Sequence, residues 1–267
     1  MRIARKAGPR PVEEYFEECK QLGFDYLELG CEAPDNFPHT FDDARIARIR
    51  ELGQKYQVDY CLHSGSYVNS AEIMPTVRLA ARQHLIEYVE LASKLEAQHL
   101  VIHMGFHFSQ YMEATFEALL KTFTPVVALA EKLKMPLVIE NMNKLSDDSE
   151  INYLGTTIEE LKVVYDHFDS PYLGLAMDIG HAHLLPGGIE PFIDAFGPRI
   201  GGLHLHDNDG ILDRHWALGK GTIDWKRVFA RMKEIGYEGS GTIELKRYED
   251  VLESKRHLQA IGVLPAE

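Results

Sequence analysis

Long apolar runs are missing from this sequence. No stretch approaches the roughly 20 apolar residues that a membrane-spanning helix needs, so no membrane span is expected. Cysteine is scarce. Cys19, Cys31 and Cys61 are odd in number and unclustered, which makes no disulfide framework and fits a reducing, cytoplasmic setting. Positive charge is also short, with 28 Lys and Arg against 41 Asp and Glu and a formal net charge of −13. That balance argues against broad attraction to nucleic acid or anionic membrane. A local basic groove stays open, and bound divalent cations would offset part of the charge. The opening MRIARKAGPRPVEEYF lacks the apolar segment of a secretory signal, so none is expected. With no low-complexity tract and no linker rich in Pro, Gly and Ser, residues 1–267 read as a single domain.

What is present is an alternation. Short apolar runs recur at RIA (2–4), DYLELG (25–30), VDYCLH (58–63), HLVIHMG (99–105), PLVIEN (136–141), LGLAMD (173–178), IGGLHLH (200–206) and GTIELK (241–246). Between them, segments such as PVEEYFEECKQLG, ARIARIRELGQKY and DWKRVFARMKEIG repeat apolar residues at three- and four-residue spacing, the period of an amphipathic helix. Strands alternating with helices imply parallel βαβ units. Eight of them in this length predict an α/β fold, a single (β/α)8 TIM barrel. An open doubly wound sheet is the alternative. RIA is the weakest run, short and flanked by basic residues.

Metal-capable side chains end these runs. His63 ends the third, His103 falls in the fourth, and Glu140, Asp178, His204 and Glu244 follow in the next four. In a barrel these are the C-terminal strand ends, where active sites are built. Partly buried positions do not accumulate charge unless it is paired or metal-bound. The stretch HLHDNDGILDRH (204–215) adds Asp213 and His215, and AMDIGHAH adds His181. Taken singly, each has a bland explanation: a core histidine, a salt bridge, a hydrated loop. Together, five imidazoles and four carboxylates exceed the four ligands of one tetrahedral zinc. They suit one octahedral ion with substrate-binding residues around it, or a cluster of two or three ions. His183 and His206 are intermediate, each two residues from a candidate ligand. Asp207 and Asp209 are read as loop organisers, with a turn at Asp209-Gly210. His39, His84, His99, His107 and His167 are read as surface or structural. Asp213 and His215, two apart in extended backbone, are expected to send both side chains to one side. Their expected task is to bind a second ion or to steer the loop over the mouth.

LHLHDNDGILDRHWALGKGTIDW resembles the signature of the xylose-isomerase-like TIM barrels, the sugar and sugar-phosphate isomerases and epimerases that also include endonuclease IV. The likeness runs from LGFDYLELG through GTIELK. In the epimerase branch one divalent ion, often manganese, is held by four residues that correspond to Glu140, Asp178, His204 and Glu244. The resemblance implies that the two glutamates also move the protons, through an enediolate that the ion stabilises, and that His181 contacts the sugar. His63 and His103 would then serve substrate binding, and Lys246 and Lys220 are candidate anion contacts. In the endonuclease branch a three-zinc cluster cuts abasic DNA, and its nine ligands correspond to His63, His103, Glu140, Asp178, His181, His204, Asp213, His215 and Glu244, with Glu140 bridging. All nine residue types are present. The departures lie elsewhere. CEAPDNFPHTFDDA (31–44) carries four acidic residues and no Lys or Arg, whereas a duplex-binding loop offers basic side chains to phosphates. SGSYVNSAEIM is neutral to acidic apart from Tyr67, which could stack. The resemblance therefore implies a metal-dependent isomerase or epimerase with a small sugar or sugar phosphate as its partner. The cofactor is manganese or zinc, possibly more than one ion, and a homo-oligomer is usual. An endonuclease IV-like zinc phosphodiesterase is the alternative.

Overall fold

A computed structural model describes residues 1–108, 110–146 and 148–265. Its strands are β1 (Arg2–Ala7), β2 (Tyr26–Gly30), β3 (Asp59–His63), β4 (Leu100–Ile102), β5 (Phe106–Phe108), β6 (Leu137–Glu140), β7 (Ile151–Tyr153), β8 (Leu173–Asp178), β9 (Ile200–Leu205) and β10 (Ser240–Ile243). Eight of them close a barrel in the order β1-β10-β9-β8-β6-β4-β3-β2, and every neighbouring pair is parallel. The helices are α1 (Tyr15–Gln21), α2 (Asp43–Tyr56), α3 (Pro75–Lys94), α4 (Met112–Leu133), α5 (Ile158–His167), α6 (Ile179–His183), α7 (Glu190–Phe196), α8 (Trp225–Glu234) and α9 (Tyr248–Ala260). The closed order rules out an open sheet.

The sequence explains the helix starts. Asp42, Thr157 and Asp224 each accept a backbone N–H three residues on, from Arg45, Glu160 and Arg227. Such caps satisfy donors that the first turn leaves free. The main core lies between strands and helices and includes Phe16, Leu27, Leu62, Phe123 and Trp225. Each such side chain, once buried, contributes about 1.5–3 kcal/mol. Inside the barrel the floor is built from two smaller clusters, Ala4, Tyr26 and Cys61 on one side and Val101, Val138 and Ala176 on the other. Because side chains alternate along a strand, the inward residues nearer the C-terminal ends are the polar ones: Glu28, His63, Glu140 and His204, all buried.

The strands depart from the sequence reading in ways that bear on the site. β1 runs to Ala7, because its basic side chains find acidic partners, Arg5 on Glu18 and Lys6 on Glu244. β4 stops at Ile102 and β10 at Ile243, so His103 and Glu244 sit one residue past their strands. Two three-residue strands, β5 and β7, pair antiparallel outside the barrel. At three residues each, FHF and INY are too short to carry a strand signal.

Candidate metal centre at the barrel mouth

Ladder pairing sets the centre before any side chain does. Asp178 is level with His204, and Glu140 with Ala176, two residues before Asp178 on β8, so three adjacent strands each bring one candidate ligand to the mouth. Glu140 lies in the middle. Its Oε2 is 2.8 Å from His103 Nε2 and 3.2 Å from His63 Nε2, and its Oε1 is 3.0 Å from His204 Nδ1. Glu244 Oε2 approaches His204 Nδ1 at 3.4 Å from the other side. Asp178 caps α6, its Oδ1 accepting the His181 N–H at 2.8 Å, while its Oδ2 has no hydrogen-bond partner.

The imidazoles are oriented from behind. His181 Nδ1 donates to the Asn141 carbonyl at 2.8 Å, His103 Nδ1 to Gly65 at 3.3 Å and His215 Nδ1 to Glu244 at 3.1 Å. Each leaves Nε2 facing inward. His204 is reversed, its Nε2 on Glu28 Oε2 at 3.0 Å and its Nδ1 inward. His63 Nδ1 sits 2.7 Å from Glu32. One nitrogen fixed by an outer oxygen and the other aimed at a common point is how proteins hold metal-binding histidines. Together with the unpartnered Asp178 Oδ2, this donor set fits a divalent ion. The candidate ligand atoms fall into groups within 4.8 Å: Glu140, Asp178, His204 and Glu244; His63, His103 and Glu140; His181, His206, Asp213 and His215; and Glu28, His63 and His204. Carboxylate-rich sets suit manganese, and imidazole-rich sets suit zinc.

The electrostatics follow from this crowding. Burial by itself would raise the pKa of Glu140, but His204, His103 and His63 outweigh it and hold the carboxyl well below its usual range. Glu244 is treated alike, chiefly by Lys6, whose Nζ is 2.6 Å from both Glu244 and Glu32. The imidazoles move the other way. Burial opposes protonation, yet Asp178 and Asp213 raise His181 to about 10. Asp213 and Glu244 raise His215 to about 9. Glu32 and Glu140 raise His63 to about 9, against burial and the charge of Lys6. Protons and a metal ion therefore compete for the same nitrogens.

The strand-end residues named from the sequence all converge, and His181 joins them from α6. Asp213 and His215 also arrive, with Asp213 Oδ2 3.3 Å from His215 Nε2 and 3.5 Å from His181 Nε2. The expected extended backbone is absent, because His215 has φ +46°. The loop turns there instead, and its shape is set by Asp207. That carboxylate accepts from Gly219, Trp225 Nε1, Ile223 and Asn208, and its backbone pairs with Trp216. Asp209 accepts from the Ile211 and Leu212 amides around Gly210. Lys246 is exposed at the rim of a cavity of about 540 Å³ that Lys6, Glu32, Tyr67, His215 and Glu244 also line. Lys220 is held by Glu253 at the surface, 2.5 Å away, and does not line that cavity. His183 is tied to Thr222.

Sequence reasoning missed Glu28, Glu32 and Lys6. Glu28 is the instructive one. It sits in the middle of β2 and is buried, holding His204 and accepting from Thr242 Oγ1 at 3.1 Å. A glutamate at an inward position of an otherwise apolar strand was the available signal.

Comparisons with known proteins agree with this architecture. The chain is 29% identical over 257 residues to an uncharacterised protein of Methanocaldococcus jannaschii, covering 94% of this chain and 85% of that one. It is 23% identical over 250 residues to fructoselysine 3-epimerase of Shigella flexneri, covering 88% and 85%. It is 26% identical over 231 residues to a "Probable endonuclease 4" of Thermosipho africanus, covering 76% and 79%. A solved structure of a D-tagatose 3-epimerase-like protein superposes with a TM-score of 0.87 at 28% identity, covering 98% of this chain and 97% of that one. Among the described residues no helix is long and apolar enough to cross a membrane. Over residues 16–264 the chain matches the xylose isomerase-like TIM barrel family, and it belongs to that family.

Proposed function

We propose that this protein is a divalent-metal-dependent isomerase or epimerase of a sugar or sugar phosphate. The observation that carries the reading is the set Glu140, Asp178, His204 and Glu244, whose ligand atoms lie within 4.8 Å of one another. One of the four, Glu244, also lines the 540 Å³ cavity, which is within the range of small-molecule sites. The sugar epimerases among its relatives support the same direction.

A divalent ion held by these four residues would act as a Lewis acid on the substrate carbonyl and its neighbouring hydroxyl. The chain's own residues then handle the proton. One glutamate takes it from the carbon beside the carbonyl, and the other returns one to the opposite face or to the adjacent carbon. Lys6 and the imidazoles around Glu140 keep both carboxyls ionised and ready to accept. His181, His63 and His103 stand where they would ligate an ion or hold sugar hydroxyls. Lys246 at the rim is placed to meet an anionic substituent. The test is a panel of ketohexoses and their phosphates, incubated with the protein loaded with manganese or zinc. Epimer formation that EDTA abolishes is expected, and its absence across the panel would remove the reading.

A second reading has its own observation. Three of the ligand groups together contain the nine residues that the resemblance assigns to a three-zinc nuclease. Against it stand the net charge of −13 and the fate of the basic residue nearest loop 31–44. Arg45 turns onto Glu13 and Asn36 instead of toward solvent phosphates. Fluorescence anisotropy with abasic and intact duplexes decides. Weak, non-selective binding at physiological salt is expected, and tight abasic-selective binding with EDTA-sensitive cleavage would favour the nuclease.

A further inference from the structure

We propose that a second pocket beside the mouth, walled by Phe37, Tyr67 and Tyr88 and edged by Glu87, binds an ammonium group carried by the substrate. The protein would then act on a sugar with an amine-bearing substituent. This rests on the sugar reading above and adds the group that the sugar carries. The pocket has a volume of about 260 Å³ and lies between the loops after β2 and β3 and the helix α3. Tyr67, 72% exposed, lines both this pocket and the 540 Å³ cavity that Glu244 lines. One side chain thus borders both, so a sugar in the larger cavity can send a substituent past Tyr67 into the smaller one.

The lining selects positive charge. Aromatic rings attract a cation held close to them, and a carboxylate at the edge adds to the attraction. Glu87 is available for this. It is exposed, makes no salt bridge among the described residues, and has only a 3.5 Å contact from Gln83 Nε2. Among the described residues no lysine or arginine lines the pocket. The basic groups there are the imidazoles of His39 and His84, and burial lowers the pKa of His84. The adjoining loop 31–44 is acidic, so the wider field has the same sign. Ser64 adds a hydrogen-bonding group. It is 4% exposed and lines the pocket, and its hydroxyl has no partner among the described residues. The walls are fixed in advance. Tyr88 Oη donates to the Cys31 carbonyl at 2.7 Å, and His84 meets the Tyr88 ring edge-on with centroids 4.9 Å apart. Opposite, Arg45 pins the turn that carries Phe37, donating to the Asp35 carbonyl at 2.7 Å, Thr40 Oγ1 at 2.6 Å and Asn36 Oδ1 at 2.9 Å. A preformed pocket loses little affinity to ordering.

The experiment uses the full chain loaded with zinc and follows backbone amide resonances during titration with n-butylammonium or the neutral n-butanol. Butylammonium should shift residues 37–39, 64–68 and 84–88, and butanol should not. Glu87→Gln and Phe37→Ala should each bind butylammonium about 5-fold more weakly. A second measurement needs no variant. A ketohexose carrying a terminal amine on a short alkyl chain should bind about 10-fold more tightly than the same compound with its amine acetylated. Equal responses to amine and alcohol, shifts confined to other residues, variants that keep wild-type affinity, or an acetylated compound that binds as tightly would each overturn the proposal. Preference for butanol would overturn it in favour of an apolar subsite. Neither measurement reads turnover. Failed ammonium binding beside active epimerisation removes this inference alone, and sound ammonium binding without epimerisation removes the epimerase reading alone.

Discussion

At the strand ends, backbone pairing fixes the candidate ligands before any ion arrives. Asp178 and His204 stand level on adjacent strands of the sheet, and Glu140 lies on the strand beside β8. In the loop after β9 nothing comparable exists. Asp213 and His215 stand on irregular backbone that Asp207 anchors at its two ends. A rigid scaffold can place carboxylates around a reacting carbon and keep them there, whereas a loop can only assemble a site that pulls its own backbone into place. Preorganised geometry belongs to catalysis, and the loop's dependence on its ligands belongs to closure. This contrast makes the two groups separable by mutation.

The largest effects should come from the strand ends. Glu140→Ala removes the carboxylate shared by two ligand groups, so the ions those groups hold should be lost by elemental analysis, and turnover should fall by about 10³-fold or more. Glu244→Gln should keep the fold, because only one side of Lys6 loses its partner and Glu32 remains at 2.6 Å. Turnover should still drop about 10²- to 10⁴-fold, since a proton carrier is gone. Wild-type rates in either variant would erase the distinction between the groups.

The loop should be cheaper to disrupt. Asp213→Ala/His215→Ala should retain about one equivalent of ion and lose any others, because the strand-end set of four is untouched. If the double variant loses all metal, or keeps every ion that wild type holds, the two groups are not separate. Smaller again is Glu28→Gln. It leaves His204 in place but exchanges the anion behind it for an amide, and metal affinity should weaken about 10- to 100-fold. Isothermal titration of the stripped proteins would measure it, and an unchanged affinity would reduce Glu28 to packing.

The barrel floor gives a control that involves no ligand. Burial lowers the pKa of His99 from 6.5 to about 4. A depressed folded-state pKa costs nothing above the unfolded value and destabilises progressively as pH falls from 6.5 through 4, because only the unfolded chain takes up the proton. The difference corresponds to about 3 kcal/mol. Chemical denaturation of wild type and His99→Gln between pH 7 and 4 should show the variant losing less stability across that window. Parallel pH slopes would contradict it.

Most of the barrel was legible because its strands are buried on both faces and so read as apolar runs with punctuation between them. The ends of those runs also pointed to the candidate site, since His63, His103, Glu140, Asp178, His204 and Glu244 break an apolar pattern where it should continue. Three things were hidden. β5 and β7 are too short to show a period. Glu28 lies mid-strand, where a search of strand ends does not look, and its role depends on a residue 176 positions away. His206 packs flat on the ring of His215 in the space left by Gly180, contacts that no local spacing encodes.

Proton exchange with solvent tests the epimerase reading most directly. The metal-loaded protein, incubated in deuterium oxide with ketohexoses such as D-tagatose and D-psicose, should place deuterium on the carbon beside the carbonyl, as nuclear magnetic resonance would detect. Incorporation should disappear with EDTA and in Glu244→Gln. No deuterium in any sugar or sugar phosphate, together with EDTA-sensitive cleavage of an abasic duplex, would contradict the assignment and pass the site to phosphodiester hydrolysis.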